Sequence, residues 1–145
     1  MPVETDKELR EILERVRTIA VLGMKAQAEE DAYRVPLYLQ QHGYRIVPVN
    51  PKLREVLHEP ASATLAQVSV PVDLVDVFRA SNHLPAHVDE ILAMRPRPSV
   101  VWFQLGIRND ASASKLEAAG IRVVQDRCIM LDHRRLVPAR MSRGS

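Results

Sequence analysis

Residues 18–27 constrain the fold of this chain more than any other part of the sequence. Five apolar or β-branched residues, Thr18–Leu22, form a short run that is typical of a buried strand, and the run stops at Gly23. A polar loop follows, and an amphipathic helix is predicted to begin at or near Asp31 and to end at Gly43. The sequence therefore predicts a strand that passes through a glycine turn into a helix.

A strand, a glycine turn and a helix in this order form the mononucleotide-binding opening of a Rossmann-like fold. Gly23 is expected to permit a sharp turn and the close approach of a phosphate. The helix start offers that anion free N–H groups and the positive end of the helix dipole. The dinucleotide fingerprint G-x-G-x-x-G needs two more glycines, but Lys25 and Ala28 stand there. We therefore expect a phosphate pocket with one glycine and one lysine.

The other predicted elements fit the same fold class. A capping box at residues 5–8 begins the first helix. The helix after Gly23 is expected to start close to Pro36, because proline is tolerated mainly in a first turn. Further strands are predicted at residues 44–49, 72–78, 99–103 and 121–124, and further helices at residues 64–68, at 81–92 with Ser81 as the cap, and at 110–119.

Strands that alternate with helices predict an α/β fold. We expect a three-layer, Rossmann-like, doubly wound and mainly parallel five-stranded sheet with helices on both faces. One domain is expected over residues 1–140, with a short final segment after the fifth strand. Residues 141–145 are predicted to be a disordered tail.

The composition excludes several classes of function. Of 145 residues, 46% are hydrophobic and 26% are charged, and the net charge of +2 is too small to indicate nucleic-acid binding. No apolar run is long enough to span a bilayer, and the acidic N-terminus does not resemble a signal peptide. The single cysteine excludes an internal disulfide framework and a cysteine-based zinc site, so a cytoplasmic location is expected.

Candidate binding residues follow the predicted strands, because doubly wound sheets bind ligands at the carboxyl ends of their strands. The rule selects cationic, amide, aromatic and thiol side chains, but no pair of carboxylates placed for acid–base catalysis. The candidates are Gly23, Met24, Lys25, Ala26 and Gln27 after the first strand, Asn50, Pro51 and Lys52 after the second, Val77, Phe78 and Arg79 at the third, Gln104 and Gly106 after the fourth, and residues 126–128 after the fifth.

The end of the second strand narrows the choice of ligand. An NAD-binding fold usually places Asp or Glu there to accept from ribose hydroxyls, whereas this chain has Asn50, Pro51 and Lys52. A positive charge favours a phosphorylated ribose, which both NADP (2′-phosphate) and coenzyme A (CoA; 3′-phosphate) contain. Because the dinucleotide glycines are missing, CoA is the preferred candidate.

Six short motifs occur in order along the chain, and together they resemble those of a known family. They are Gly23 with its loop, Tyr33-Arg-Val35, Val49-Asn-Pro-Lys52, Val75-Asp-Val-Phe-Arg79, Trp102-Phe-Gln-Leu-Gly-Ile107 and Asp126-Arg-Cys-Ile129. The chain resembles the small single-domain CoA-binding proteins, which are similar to the N-terminal CoA-binding domain of the succinyl-CoA synthetase α subunit. The resemblance extends over residues 19–136.

The resemblance implies a role for each part of the site. The loop at residues 23–27 would hold the CoA phosphates, Lys52 would contact the phosphorylated ribose or the adenine end, and residues 77–79 would flank the adenine or pantetheine. Residues 24–27 replace a more typical hydroxyl-bearing Leu-Ser run, so Lys25 is expected to supply charge instead. The phosphohistidine of the synthetase has no counterpart in this chain.

We therefore expect a cytoplasmic module that binds CoA or an acyl-CoA without catalysis of its own, and that senses the ligand or hands it to a partner enzyme. Two alternatives stay open. One is a small NADP- or nucleotide-dependent enzyme or ligase subunit, and the other is a Rossmann-like domain that has lost its ligand. The sequence does not predict the oligomeric state.

Five residues allow more than one interpretation. His83 and His87 have the i,i+4 spacing of two zinc ligands on a helix. No third potential ligand lies at a spacing typical of a zinc site, so we expect two solvated histidines. Cys128 is the one nucleophile at a strand end, and we expect a small buried side chain there. Trp102 is expected in the core, with its indole N–H bonded to a partner. The ring of Phe78 fits either the core or a stacked ligand.

Overall fold

The computed structural model describes residues 3–137, in which helices and strands alternate along the chain. The strands are β1 (Thr18–Leu22), β2 (Arg45–Val49), β3 (Glu55–Val56), β4 (Glu59–Pro60), β5 (Leu74–Val77), β6 (Val100–Phe103) and β7 (Arg122–Val124). The α-helices are α1 (Asp6–Arg15), α2 (Asp31–Gln41), α3 (Leu84–Ala93), α4 (Asp110–Ala118) and α5 (Ile129–Leu136).

The five strands other than β3 and β4 form one parallel sheet in the order β2-β1-β5-β6-β7, so the predicted fold class is confirmed. The chain adds β2 on one side of β1 and then crosses to the other side for β5, β6 and β7. The strand order therefore reverses between β1 and β5, which is the switch point of a doubly wound sheet. Strands β3 and β4 form a separate antiparallel hairpin.

Two buried clusters cover the two faces of the sheet and make it the middle of three layers. Alternate residues of β1 divide between the clusters. Ile19 and Val21 belong to the cluster shared with α1, α2 and α5, and Ala20 and Leu22 to the cluster shared with α3 and α4. The strands are buried on both faces, which explains why they read as continuous apolar runs rather than as alternating ones.

Helix α2 begins at Asp31 as predicted, but the argument from Pro36 is wrong. Pro36 lies in the second turn of the helix, where it leaves the Ala32 carbonyl without its usual partner, because proline has no N–H. The N–H of Lys25, in the loop after β1, donates to this carbonyl instead, at 3.3 Å. The missing helical hydrogen bond thus ties the loop to α2.

Three other elements differ from the prediction. Ser81 does not cap a helix, because a 3₁₀ turn at Ser81–His83 precedes α3 and the Ser81 hydroxyl accepts from the Arg108 N–H at 3.2 Å. The expected short final segment is the helix α5. The sequence does not predict the β3–β4 hairpin, because its turn residues Leu57 and His58 adopt positive φ without the usual glycine or asparagine.

The predicted disordered tail at residues 141–145 lies outside the described residues, as do residues 138–140 of the predicted domain. Within residues 3–137, no helix is both long enough and apolar enough to cross a membrane.

His133 is a buried histidine between α5 and α2. Its Nδ1 atom lies 2.8 Å from the Tyr38 hydroxyl oxygen, and its ring centroid lies 5.2 Å from that of His42. Burial, with a smaller contribution from His42, lowers the pKa of His133 from 6.5 to about 4. Folded His133 therefore stays neutral down to about pH 4, whereas the unfolded chain takes up a proton below about pH 6.5.

We expect His133 to make the free energy of unfolding decrease as the pH falls from 6.5 to about 4, because only the unfolded state gains the proton over that range. The pKa difference sets an upper limit of about 3 kcal/mol on this contribution. Urea unfolding of the wild type and of His133→Gln, at neutral pH and near pH 4, measures it. The variant should lose less stability on acidification, and an equal loss in both proteins would contradict the assignment.

Candidate functional site

The loops after β1, β2 and β5 meet at the carboxyl end of the sheet, beside the switch point. The N–H groups of Gly23 and Met24 both donate to the Val49 carbonyl of β2, at 3.0 and 3.3 Å. On the other side, the Phe78 N–H donates to the Leu22 carbonyl at 2.9 Å. The ladder of β1 thus continues for one residue past the strand on both sides, which fixes the start of the loop.

Gly23 has a conformation and a surrounding that only glycine fits. Its φ is +87°, and a Cβ atom added there would lie 3.0 Å from the Phe78 carbonyl oxygen and 3.1 Å from Cδ of Arg79. The chain after β5 therefore passes directly against this glycine, so the residue contributes to the stability of the fold as well as to the site. The approach of a phosphate to the same turn stays a prediction.

Asn50 joins the loops after β1 and β2. Its Nδ2 donates to the Met24 carbonyl at 2.6 Å, and its Oδ1 accepts from the Lys52 N–H at 2.7 Å. An aspartate, which NAD-binding folds favour at this position, would set a carboxylate oxygen against the Met24 carbonyl. The local fold therefore favours an amide over a carboxylate at this position, whichever ligand binds.

The loop after β1 offers N–H groups, but the start of α2 opposes an anion. The N–H groups of Ala26, Gln27 and Ala28 have no partner among residues 3–137. Residues 29–31, however, are all acidic, and the Asp31 carboxylate pairs with Arg34. We therefore place the predicted anion contact at the loop N–H groups rather than at the helix terminus.

Three exposed cations surround this end of the sheet. Lys25 and Lys52 extend from the loops after β1 and β2, and the stem of Arg79 lies against Gly23. Within the described part of the chain, none of the three pairs with a carboxylate, whereas Arg127 and Arg135 both bind Asp132. These three charges are therefore available to an anionic ligand.

A buried carboxyl group, Asp76 in β5, lies just behind this surface. Its Oδ1 accepts from Gln104 Nε2 at 2.6 Å, and its Oδ2 has no partner. Burial raises the pKa of Asp76 from 3.8 to about 7, and the hydrogen bond from Gln104 opposes this shift only in part. Sequence reasoning missed Asp76, although an acidic residue in an otherwise apolar central strand was a signal for it.

The structure places the remaining candidates as follows. The side chains of Met24 and Val77 are buried in the two cores, so only their backbones reach the site. Phe78 is half-buried beside Gln104, whose N–H donates to the Val77 carbonyl at 3.2 Å. Pro51 is exposed next to Asn50. Gly106 lies in the exposed loop after β6, where its N–H donates to Asp126 Oδ1 at 2.6 Å.

The structure also locates the residues that the sequence analysis discussed outside the predicted binding site. Trp102 is buried, and its indole N–H donates to the Arg127 carbonyl at 2.8 Å, as predicted. Cys128 is the N-cap residue of α5 and is half-buried rather than fully buried. His87 contacts Glu90, with 2.6 Å between Nδ1 and Oε1. Within residues 3–137, no group of three or more His, Cys, Asp or Glu side chains could hold a metal ion.

A cavity of about 400 Å³ lies elsewhere, between α4, β7 and residues 3–4. Two arginines line it, but Arg108 pairs with Asp110 and Arg127 pairs with Asp132. Among the described residues, its cationic side chains are thus already neutralised. The cations and N–H groups at the carboxyl ends of β1, β2 and β5 suit an anion better.

The fold and this site define a small Rossmann-like α/β domain with polar groups collected at its switch point. The chain belongs to the CoA-binding domain family, whose model matches residues 17–134. The family suggested by the six sequence motifs is therefore confirmed, and with it CoA binding as a general property of the family.

Several relatives match this chain over nearly their whole length. The chain is 36% identical to the uncharacterized protein YneT of Bacillus subtilis over 126 residues, which cover 87% of this chain and 92% of that one. The solved structure of cell-free ID.343 from Thermus thermophilus is 45% identical in sequence and superposes with a TM-score of 0.87. The match covers 92% of this chain and 99% of that structure's chain. A hypothetical protein from Pyrococcus horikoshii is 35% identical, with a TM-score of 0.87 and coverages of 94% and 96%.

We expect Gly23→Ala to lower the free energy of unfolding by more than Gly120→Ala does. Both glycines have φ near +88°, which costs alanine about 1–2 kcal/mol, but nothing lies within 4 Å of a Cβ at Gly120. The contact with the Phe78 carbonyl should add about 1 kcal/mol or more at Gly23. Urea unfolding of the two variants measures the difference, and equal losses would contradict the close approach.

Proposed function

We propose that this chain is a binding module for CoA or an acyl-CoA, and that it holds the ligand at the carboxyl ends of β1, β2, β5 and β6. In this proposal the loop at residues 23–27 binds the pyrophosphate through backbone N–H groups and Lys25. Lys52 binds the 3′-phosphate of the ribose. Arg79 and Phe78 flank the adenine or the pantetheine, and Gln104 and Gly106 line the end of β6.

The observation that carries this proposal is the set of unpaired donors around Gly23. CoA has a pyrophosphate and a separate 3′-phosphate, so a complementary site needs cationic or N–H donors at two places. Lys25 and the N–H groups of residues 26–28 form one group, and Lys52 provides the other from the neighbouring loop. Membership of the CoA-binding domain family supports the same ligand.

The absence of catalysis is part of the proposal. Nucleophilic catalysis needs a nucleophile hydrogen-bonded to a base. Cys128 is the one thiol of the chain, and within the described residues its Sγ has no hydrogen bond to a base. In this proposal the other side chains at the site bind and orient the ligand. A module of this kind senses the ligand or presents it to a partner enzyme.

We expect Lys52→Ala to lower the affinity for CoA about tenfold or more, because a charge-assisted contact with the 3′-phosphate is lost. The affinity for dephospho-CoA, which lacks that phosphate, should stay unchanged. Titration calorimetry measures both. Lys115→Ala, on the outer side of α4, is the matched control and should bind as the wild type does.

Parallel titrations with NADP and NAD complete this experiment. Binding of CoA in preference to both supports the proposed function. Stronger binding of NADP than of CoA would instead favour the nucleotide-dependent enzyme. An equal loss of CoA and dephospho-CoA affinity in Lys52→Ala would contradict the role of Lys52.

We expect the purified chain to leave acetyl-CoA and succinyl-CoA intact, because no nucleophile–base pair is placed at the site. Release of free thiol from each thioester, followed colorimetrically against a no-protein control, measures this. Steady turnover by the wild type that disappears in Cys128→Ser would overturn the non-catalytic proposal. Turnover that persists in that variant would overturn it as well and would point to another residue.

A further inference from the structure

Asp76 and Gln104 form a buried polar pair across two neighbouring strands. Asp76 lies in β5 opposite Trp102 of β6, and Gln104 follows two residues later, immediately after β6 ends. The exposed fraction is 0% for Asp76 and 4% for Gln104, and 2.6 Å separate Gln104 Nε2 from Asp76 Oδ1. The pair thus runs diagonally from the interior of the sheet to its carboxyl end.

One oxygen of each partner receives no hydrogen bond from residues 3–137. Asp76 Oδ2 is sealed from solvent and has no partner. Gln104 Oε1 also lacks a donor, but it is not among the sealed atoms. Because the amide nitrogen is bound to Asp76, the carbonyl oxygen is the end of the Gln104 amide whose hydrogen-bonding capacity is entirely unused within residues 3–137.

We propose that Asp76 is a positioning residue, which holds the nitrogen of the Gln104 amide inward so that its carbonyl oxygen accepts an N–H of the pantetheine arm of CoA. This inference rests on the proposed function and deepens it, because it states which chemical group the end of β6 recognises. Pantetheine contains two amide groups, and each has an N–H that needs an acceptor when it leaves water.

Packing alone gives no reason for Asp76. A buried carboxyl with an unpartnered oxygen is costly, and the Gln104 amide satisfies only one of the two Asp76 oxygens. Its register partners in the neighbouring strands are the apolar residues Val21 and Trp102, so among residues 3–137 the side-chain hydrogen bond of Asp76 is the one from Gln104. The carboxyl therefore fits a role in orienting Gln104.

The hydrogen bond between Gln104 and Asp76 also fixes the orientation of the Gln104 amide. The two ends of a glutamine amide are nearly equal in size, so a side chain without a partner can present either its oxygen or its nitrogen. With the nitrogen bound, the strand end presents an acceptor before the ligand arrives. Preorganisation of this kind strengthens binding, because less freedom is lost on association.

The test compares Asp76→Val, which removes the acceptor at similar volume, with Asp76→Asn, which keeps an acceptor oxygen. Calorimetry measures the affinity of each for CoA and for adenosine 3′,5′-bisphosphate, which lacks the pantetheine arm. Asp76→Val leaves Gln104 Nε2 without its acceptor and should bind CoA about tenfold more weakly. Its affinity for the bisphosphate should be unchanged, and Asp76→Asn should restore most of the CoA affinity.

Two further variants sharpen the result. Gln104→Ala should weaken CoA binding by a similar factor, and adding Asp76→Val to it should cause little further loss, because Asp76 acts through Gln104. Asp73→Asn is the matched control. Asp73 lies at the opposite end of the sheet, where its carboxylate accepts from the N–H groups of Arg17 and Thr18 at 2.9 Å, so CoA affinity should not change.

The outcomes separate this inference from the proposed function. If the wild type does not bind CoA at all, the proposed function fails and this inference fails with it. If the wild type binds CoA and Asp76→Val binds it equally well, only the positioning role fails. A loss of CoA and bisphosphate affinity by the same factor would also overturn that role, because it would show a general disturbance of the site.

Discussion

The close approach of Gly23 to the chain after β5 is the constraint on which the candidate site depends. β1 lies between β2 and β5, so the loop that leaves β1 must fit between the ends of both neighbours. The N–H groups of Gly23 and Met24 bind the Val49 carbonyl on one side, and on the other side the Phe78 carbonyl would lie only 3.0 Å from a Cβ at Gly23. The same contact brings the stem of Arg79 against the loop. One steric requirement therefore fixes where the loops after three strands meet.

The described cations fall into two groups, those that are paired with carboxylates and those that are not. Arg127 and Arg135 are bound to Asp132 of α5, whereas Lys25, Lys52 and the Arg79 guanidinium are left without carboxylate partners in residues 3–137. Exposed ion pairs contribute little to stability. The unpaired cations are therefore more informative about function than the paired ones, because their charges are available to an anionic ligand.

Much of the fold could be predicted because its signals are local. β1 has the predicted bounds, and the capping box of α1 forms as expected, since Thr5 and Glu8 need only each other. The failures have equally physical causes. The Ser81 hydroxyl bonds to a distant N–H rather than capping a helix, and the hairpin turn at Leu57 and His58 adopts a backbone conformation that neither residue type favours. Long-range contacts override local preferences at these positions.

The candidate site likewise has features that the sequence predicts and features that only the structure reveals. The amino-acid order alone located Gly23, Lys52, Arg79 and their neighbours, because parallel strands must place their carboxyl ends at one edge and ligands bind there. It could not reveal why Gly23 must be glycine or that Asn50 binds the Met24 carbonyl, and it gave no partner for Asp76. Each of these facts is a contact between segments distant in sequence, and such contacts exist only once the strands have found their order in the sheet.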